Sequence, residues 1–305
     1  MIPFKDITPA DRDTITAFTM KSDRRNCDLS FSNLCSWRFL YDTQFAVIDD
    51  FLVFKFWAGE QLAYMMPVGN GDLKAVLRKL IEDADKEKHN FCMLGVCSNM
   101  RADLEAILPE RFIFTEDRAY ADYIYLRSDL ATLKGKKFQA KRNHINRFRN
   151  TYPDYEYTPI TPDRIQECLD LEAEWCKVNN CDQQEGTGNE RRALIYALHN
   201  FEALGLTGGI LHVNGKIVAF TFGMPINHET FGVHVEKADT SIDGAYAMIN
   251  YEFANRIPEQ YIYINREEDL GIEGLRKAKL SYQPVTILEK YMACLKDHPM
   301  DMVRW

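Results

Sequence analysis

GILHVNGKIVAFTF, residues 209–222, sets two apolar runs, Gly209–Val213 and Lys216–Phe222, on either side of Asn214-Gly215. Asn-Gly accepts positive φ at both central positions of a type I′ turn, whose twist matches paired antiparallel strands, so this stretch predicts a tight β-hairpin. A strand over His228–Glu236 extends the hairpin into a meander. A helix over Ala245–Arg256, a strand over Gln260–Ile264, a short helix near Ile272–Lys279 and a closing strand over Pro284–Tyr291 follow. Upstream, Thr161-Pro162 opens a helix with Ile165, Cys168, Leu169 and Trp175 on its core side. Asn189–Leu204 repeats that spacing through Leu194, Leu198, Phe201 and Leu204.

The first half follows the same grammar. Thr8-Pro9 starts a helix to about Met20, and an aromatic-rich stretch with Phe31, Trp37, Phe39 and Tyr41 has ambiguous periodicity. Strands are expected over Phe45–Ile48, Phe51–Phe56 and Leu62–Met66, joined through Asp49-Asp50 and Ala58-Gly59-Glu60. Asp72–Lys86 reads as a helix on Leu73, Val76, Leu77, Leu80 and Ile81. A strand over Phe91–Val96, a helix over Asn99–Leu108 and a strand over Tyr120–Leu126 complete it. The element order gives a mixed α/β class with mostly antiparallel sheets and two similar domains, residues 1–130 and 131–305.

The 305-residue chain carries a formal net charge of −8, yet Ala131–Asn150 holds seven Lys or Arg and no acid. Lys134, Lys136, Lys137, Lys141, Arg142, Arg147 and Arg149 are thus a local positive feature, suited to phosphates or to a solvated helix face paired with acidic neighbours. Phe138, Ile145 and Phe148 would anchor that helix, and no base-reading motif accompanies it. The N-terminus has no signal-like apolar core and no run is long enough to span a bilayer, so a soluble cytoplasmic protein is expected. Eight cysteines are too dilute for a disulfide scaffold. The pairs Cys92/Cys97 and Cys176/Cys181 are spaced too widely for a zinc knuckle, which leaves buried free thiols and no metal.

No GxGxxG, Walker, His-Glu-x-x-His or Gly-x-Ser-x-Gly segment occurs, so dinucleotide binding, P-loop phosphoryl transfer, zinc peptidase and serine hydrolase chemistry lose their usual support. His89, His199, His212, His228 and His298 form no metal pattern. In Val233-His234-Val235-Glu236-Lys237-Ala238-Asp239, strand alternation sends His234 and Glu236 to one side, where Glu236 and Asp239 approach an amine or orient a nucleophile, or else cap the turn. The densest polar cluster runs from Asn265 through Glu267 and Asp269 to Arg276, Lys277 and Lys279 at a strand-to-helix junction. Its cations suit phosphates and its carboxylates an ammonium group, or the two sets pair with each other.

Lys141-Arg142-Asn143-His144-Ile145-Asn146-Arg147-Phe148, His234–Asp239 and Ile264–Gly271 through Gly274–Pro284 resemble an uncharacterised bacterial family related to the C-terminal catalytic domain of phosphatidylglycerol lysyltransferases. The resemblance implies tandem acyl-CoA N-acyltransferase-like (GNAT-like) domains and transfer of an aminoacyl group from aminoacyl-tRNA to a lipid hydroxyl or a peptide amine. On that footing Lys141, Arg142, Asn143, Asn146 and Lys277 contact the donor, and His234, Asn265, Glu267 and Asp269 the substrate. Glu236, Asp239, Arg276 and Tyr282 are the catalytic candidates, with Tyr282 a proton donor to the departing atom. Direct attack on an activated ester needs alignment and oxyanion donors and no covalent enzyme nucleophile. Two departures qualify this. The membrane-spanning domain of full-length lipid lysyltransferases is missing, which weakens a lipid acceptor but leaves peripheral membrane contact open. The Arg/Gln-x-x-Gly-x-Gly/Ala coenzyme A loop is also missing, which lowers acyl-CoA as donor. The expectation is an aminoacyl or acyl transferase with no tightly bound cofactor, tRNA as a partner and a small-molecule or peptide acceptor. An inactive tRNA-binding module, an acyl-CoA-dependent N-acyltransferase and a ligand-sensing protein are the alternatives.

Overall fold

A computed structural model describes residues 2–179 and 185–296. The Asn214-Gly215 hairpin forms as the sequence predicts, with φ of 50° and 73° at the two turn residues. It joins strands Thr207–Val213 and Lys216–Pro225. Asp49-Asp50 makes the same kind of turn, with φ of 48° and 62°, between Gln44–Ile48 and Phe51–Ala58. Short polar side chains that bond locally make positive φ tolerable at such turns.

Each hairpin lies in one of two sheets. The first runs in the order Lys5–Asp6, Gln44–Ile48, Phe51–Ala58, Gln61–Met65, Cys92–Cys97, Lys290–Leu295, Phe112–Glu116, with Val68–Gly69 paired onto Phe51–Ala58. The second runs Thr286–Leu288, Asp122–Leu126, Tyr263–Asn265, Thr230–Ala238, Lys216–Pro225, Thr207–Val213, Glu156–Pro159. In both, an antiparallel meander meets one parallel neighbour, Gln61–Met65 with Cys92–Cys97 and Thr230–Ala238 with Tyr263–Asn265. Helices Leu73–Lys86 and Ala245–Ala254 make the crossovers that parallel pairing requires.

Strands pass between the halves. Asp122–Leu126 belongs to the second sheet, and Lys290–Leu295 is inserted into the first between Cys92–Cys97 and Phe112–Glu116. A division at residue 130 therefore does not coincide with the division of strands. The stretch expected as one strand over Pro284–Tyr291 is two, Thr286–Leu288 and Lys290–Leu295, which change sheets at Glu289. The local mark of the crossing is the charged pair Glu289-Lys290 between two apolar runs, which the expected single strand passed over. Strands Phe112–Glu116 and Glu156–Pro159 escaped the sequence reading because both lie at sheet edges, where Ile113 is exposed and Pro159 is tolerated. The ambiguous aromatic stretch forms helices Phe31–Ser36 and Arg38–Tyr41. The helix expected over Asn189–Leu204 is split into Glu185–His199 and Phe201–Leu204, which ends at Gly205 with φ 73°.

Three layers of core follow. Leu52 and Phe54 face a core shared with Phe220 and Phe222 of the second sheet, whereas Phe51 and Val53 face the opposite side with Val76, Leu77, Leu80 and Ile81. Burial on both faces is why Phe51–Ala58 is nearly all apolar. The four residues of helix Leu73–Lys86 are at most 3% exposed, and each contributes about 1.5–3 kcal/mol of burial. Asp72 caps that helix by accepting from the Ala75 amide at 3.0 Å. The outer face of the second sheet is covered by Phe138, Ile145 and Phe148 of the basic helix Gln139–Thr151 and by Met248 and Ile249.

Three of the expected free thiols are not free. Cys92 and Cys294 form a disulfide between adjacent strands of the first sheet, 202 residues apart in sequence, and Cys176 is also disulfide-bonded. Cys181 and His298 lie outside the described residues. Cys27, Cys35, Cys97 and Cys168 are buried thiols, all pushed up by desolvation. No described helix is long and apolar enough to cross a membrane.

Candidate functional site

The parallel strands Thr230–Ala238 and Tyr263–Asn265 pair at three positions, Thr230 with Tyr263, Phe231 with Ile264 and Gly232 with Asn265. Beyond them the first strand continues, while the second gives way to a loop with positive φ at Glu267 (59°), Leu270 (52°) and Gly271 (75°). Left-handed backbone at Glu267 and Leu270 costs energy that the packing around the loop offsets. A β-bulge falls at His234, since Gly223 pairs with Val233 and Phe222 with Val235. One extra residue reverses the alternation. His234 and Glu236 therefore go to different sides, against the expectation from simple alternation, and each meets a different set of partners.

Glu236 bridges the gap between the strands. Its Oε2 accepts from Arg266 Nε at 2.9 Å and Nη2 at 2.6 Å, and its Oε1 accepts from Asn250 Nδ2 at 3.2 Å. Arg266 lies over the rings of Tyr125 and Tyr282, at 5.5 and 4.7 Å from their centroids, and Lys141 Nζ lies 3.8 Å from the Tyr282 centroid. Burial pushes Tyr282 up to about 12, so the phenol keeps its proton. Burial, reinforced by Arg266, pulls Lys141 down to about 8. Two buried atoms flanking Glu236, Arg266 Nη1 and Asn250 Oδ1, have no hydrogen-bond partner. Buried orphans of this kind are rare enough to need a reason.

His234 bridges the gap on the other side. Its Nε2 is 2.8 Å from Ser30 Oγ and its Nδ1 is 2.8 Å from Glu267 Oε1, which also accepts from Asn33 Nδ2 at 2.8 Å. The order Ser, His, Glu is that of a nucleophilic triad, but Ser30 is 0% exposed, so this chain fixes the strand gap and meets no substrate. Nearby, Asn265 Nδ2 donates to Asp122 Oδ2 at 2.8 Å. Lys290 Nζ sits among Asp122, Asp28 and Glu268 at 2.8, 3.2 and 2.6 Å. Cys27 Sγ, Asp122 and Glu268 are close enough to hold a metal ion, but the Lys290 ammonium already occupies their centre. Burial, against the pull of Lys290, raises Glu268 to about 7.

Asp269 and Arg276 form a third cluster. Arg276 donates to both carboxylate oxygens at 2.8 and 2.9 Å, and Arg118, Tyr123 and the Gly271 amide donate as well. Hydrogen bonds from Arg276 foremost hold Asp269 well below the usual carboxylate range. Arg276 thereby has a structural partner and does not join Glu236 and Tyr282.

Other candidates take the plainer reading. Asp239 accepts from the Ser241 amide and shapes a turn. Arg142 donates to the carbonyls of Leu133 and Gly135 and to Gln139, closing the start of its helix. Asn143 accepts from Gln139, Asn146 is exposed, and Lys277 pairs with Glu273 in solvent. Arg266 and Asn250, which meet at Glu236, were not among the candidates that the sequence marks. Asn250 left one signal, a buried amide on a helix whose other inward residues include Ala245, Met248, Ile249 and Phe253. A groove of about 640 Å³ lies elsewhere, lined by Asp85, Lys88, His89, Asn90, Ile113 and Met292 among others, and contains no member of these clusters.

The family model for the C-terminal region of phosphatidylglycerol lysyltransferase matches residues 19–294. An uncharacterised protein of Mycoplasmoides gallisepticum is 25% identical over 177 residues, 56% of this chain and 55% of that protein, so the match spans about half of that relative. Among solved structures, the C-terminal domain of a candidate lysylphosphatidylglycerol synthetase from Agrobacterium fabrum superimposes with a TM-score of 0.68 at 13% identity, covering 95% of this chain and 92% of that one. A tandem GNAT protein from the clavulanic acid biosynthesis pathway does so with a TM-score of 0.51 at 10% identity, covering 98% and 100%. The fold is a tandem GNAT-like one.

Proposed function

The chain belongs to the phosphatidylglycerol lysyltransferase C-terminal family, and on this premise we propose that it is an acyltransferase that moves an aminoacyl group from aminoacyl-tRNA to a small amine or hydroxyl acceptor. The observation that carries the reading is the gap between the diverging parallel strands, bridged by Glu236 and Arg266 with Tyr282 beside them. The acceptor nitrogen or oxygen attacks the ester carbonyl and gives up its proton to Glu236, a tetrahedral oxyanion forms, and the bond to the carrier oxygen breaks as that oxygen takes a proton from Tyr282, which the proton left on Glu236 replaces by way of solvent. Arg266 Nη1, buried and unpartnered, supplies a fixed donor where negative charge develops. Glu236 Oε1, engaged by Asn250 alone among the described residues, orients the attacking group, and Tyr282, still protonated, serves the departing oxygen.

The test is transfer of label from a mixed aminoacyl-tRNA pool to a panel of amines and hydroxy compounds, with coenzyme A as competitor. Transfer that resists coenzyme A and falls about 100-fold in Glu236→Gln supports the reading, that fall being typical of one lost orienting or acid-base group. Saturable tRNA binding without transfer would make the protein a binding module. Inhibition by coenzyme A would move the donor to an acyl thioester.

A further inference from the structure

The two sheets have four end strands, and three of them are guarded against pairing with another chain. Lys5–Asp6 is two charged residues long, Thr286–Leu288 is three residues long and closely follows Pro284, and Glu156–Pro159 carries a proline. Phe112–Glu116 has no such device. It runs for five residues without Pro, Lys or Arg, and among the described residues no strand pairs with its outer side. Ile113 on it is 54% exposed. Tyr120, Leu270 and Ile272 continue the exposed apolar surface just beyond its end, where the Leu270 amide donates to the Ala119 carbonyl at 2.9 Å.

The backbone of this strand fixes what can dock on it. The Lys296 amide donates to the Arg111 carbonyl at 2.9 Å, in line with a ladder that pairs Phe112 with Leu295, Phe114 with Ala293 and Glu116 with Tyr291. Peptide groups alternate sides along an antiparallel strand. Arg111, Ile113 and Thr115 therefore point theirs at Lys290–Leu295, while Phe112, Phe114 and Glu116 point theirs outward. A second copy of the strand, laid antiparallel about a two-fold axis through Phe114, pairs Phe112 with Glu116 and Phe114 with itself, and uses every outward N–H and C=O. The same register sets Arg111 opposite Asp117, which is exposed and still extended at φ −130° and ψ 114°. Symmetry makes that opposite-charge pair twice. A shift of two residues leaves outward groups unpaired and separates the charges. On one face Ile113 meets Thr115 of the other copy, which extends the groove wall that Ile113, Thr115 and Met292 already form.

We propose that Phe112–Glu116 is a homodimer surface, through which two copies of this chain join their first sheets edge to edge in the register centred on Phe114. The inference is independent of the reaction proposed above.

Sedimentation velocity of the whole protein over a concentration series tests it, with the fold of every variant checked by thermal melting. The wild type should pass from monomer at about 0.1 μM to dimer at about 100 μM, the affinity range of a small interface. Ile113→Lys places a guarding cation on the edge twice per dimer and should weaken association at least about tenfold. Glu116→Pro removes an outward amide, keeps the pairing with Lys290–Leu295, and should do the same. Arg111→Asp should weaken the dimer, and combining it with Asp117→Arg should restore it. Amide exchange of Phe112, Phe114 and Glu116 should slow as concentration rises. A protein still monomeric at about 100 μM, or a dimer that survives both Ile113→Lys and Glu116→Pro, would overturn the surface. Failure of the double charge exchange to restore the dimer, with the three amides unprotected at high concentration, would overturn the register.

Discussion

Asp269–Arg276 and Glu236–Arg266 are the same chemical pair, a carboxylate held by two guanidinium nitrogens, in two different states of completion. Asp269 is 0% exposed and accepts five hydrogen bonds from four residues, so it leaves no capacity over. Glu236 accepts three from two residues, and its partners Arg266 and Asn250 each keep a buried atom without a bond. A saturated network specifies structure, whereas an unsaturated one carries a cost that a bound group can remove. The pair that stabilises and the pair that waits for a ligand are told apart by what they leave unbonded and not by their composition.

Substitutions at the two pairs can break this contrast. Asp269→Ala removes the shared acceptor of a buried phenol and of two partly exposed guanidinium groups, and should lower the unfolding free energy in urea by about 1–3 kcal/mol. A loss below about 1 kcal/mol would show that Asp269 is not the closed member. The next contrast lies in the cluster around Lys290. Glu268 rises from its ordinary 4.5 to about 7 through burial, so the folded protein binds the extra proton and its stability falls as pH climbs across that window. Denaturation midpoints should show a loss on the order of 1–3 kcal/mol there, which Glu268→Gln removes. Asp269, held low, contributes in the opposite sense, with stability present above the ordinary carboxylate range and lost as the pH drops through it. Glu236→Gln keeps size and an acceptor oxygen, so it should cost about 1–2 kcal/mol while transfer collapses. A stability loss exceeding that of Asp269→Ala would make Glu236 one more structural carboxylate. Lys277→Ala should change stability by less than about 0.5 kcal/mol, because its pairing with Glu273 is solvent-exposed.

Local signals were legible and long-range ones were not. Asn214-Gly215 and the apolar stripe of Leu73–Lys86 are decided by neighbours a few residues away, and both formed as read. The bulge at His234 depends on how Phe222 and Gly223 pair across the sheet, so alternation alone put His234 and Glu236 on the wrong common side. Charge composition singled out both the Asn265–Lys279 cluster and the basic helix, but not which charges answer each other. Arg276 found Asp269 seven residues earlier, whereas Arg266 found Glu236 across thirty residues and a strand gap. Lys141 was one of seven similar cations in sequence, and only packing against Tyr282 distinguishes it.

The exchange of strands also sets an order of events during synthesis. Strand Cys92–Cys97 leaves the ribosome early but receives its neighbour on one side only when Lys290–Leu295 emerges, and Phe112–Glu116 pairs with that late strand alone. Until then the nascent first half carries open strand edges, which invite pairing with other chains. Emergence of Lys290–Leu295 is thus the step that seals the first sheet, and a chain cut before residue 290 would lose order in strands laid down some two hundred residues earlier.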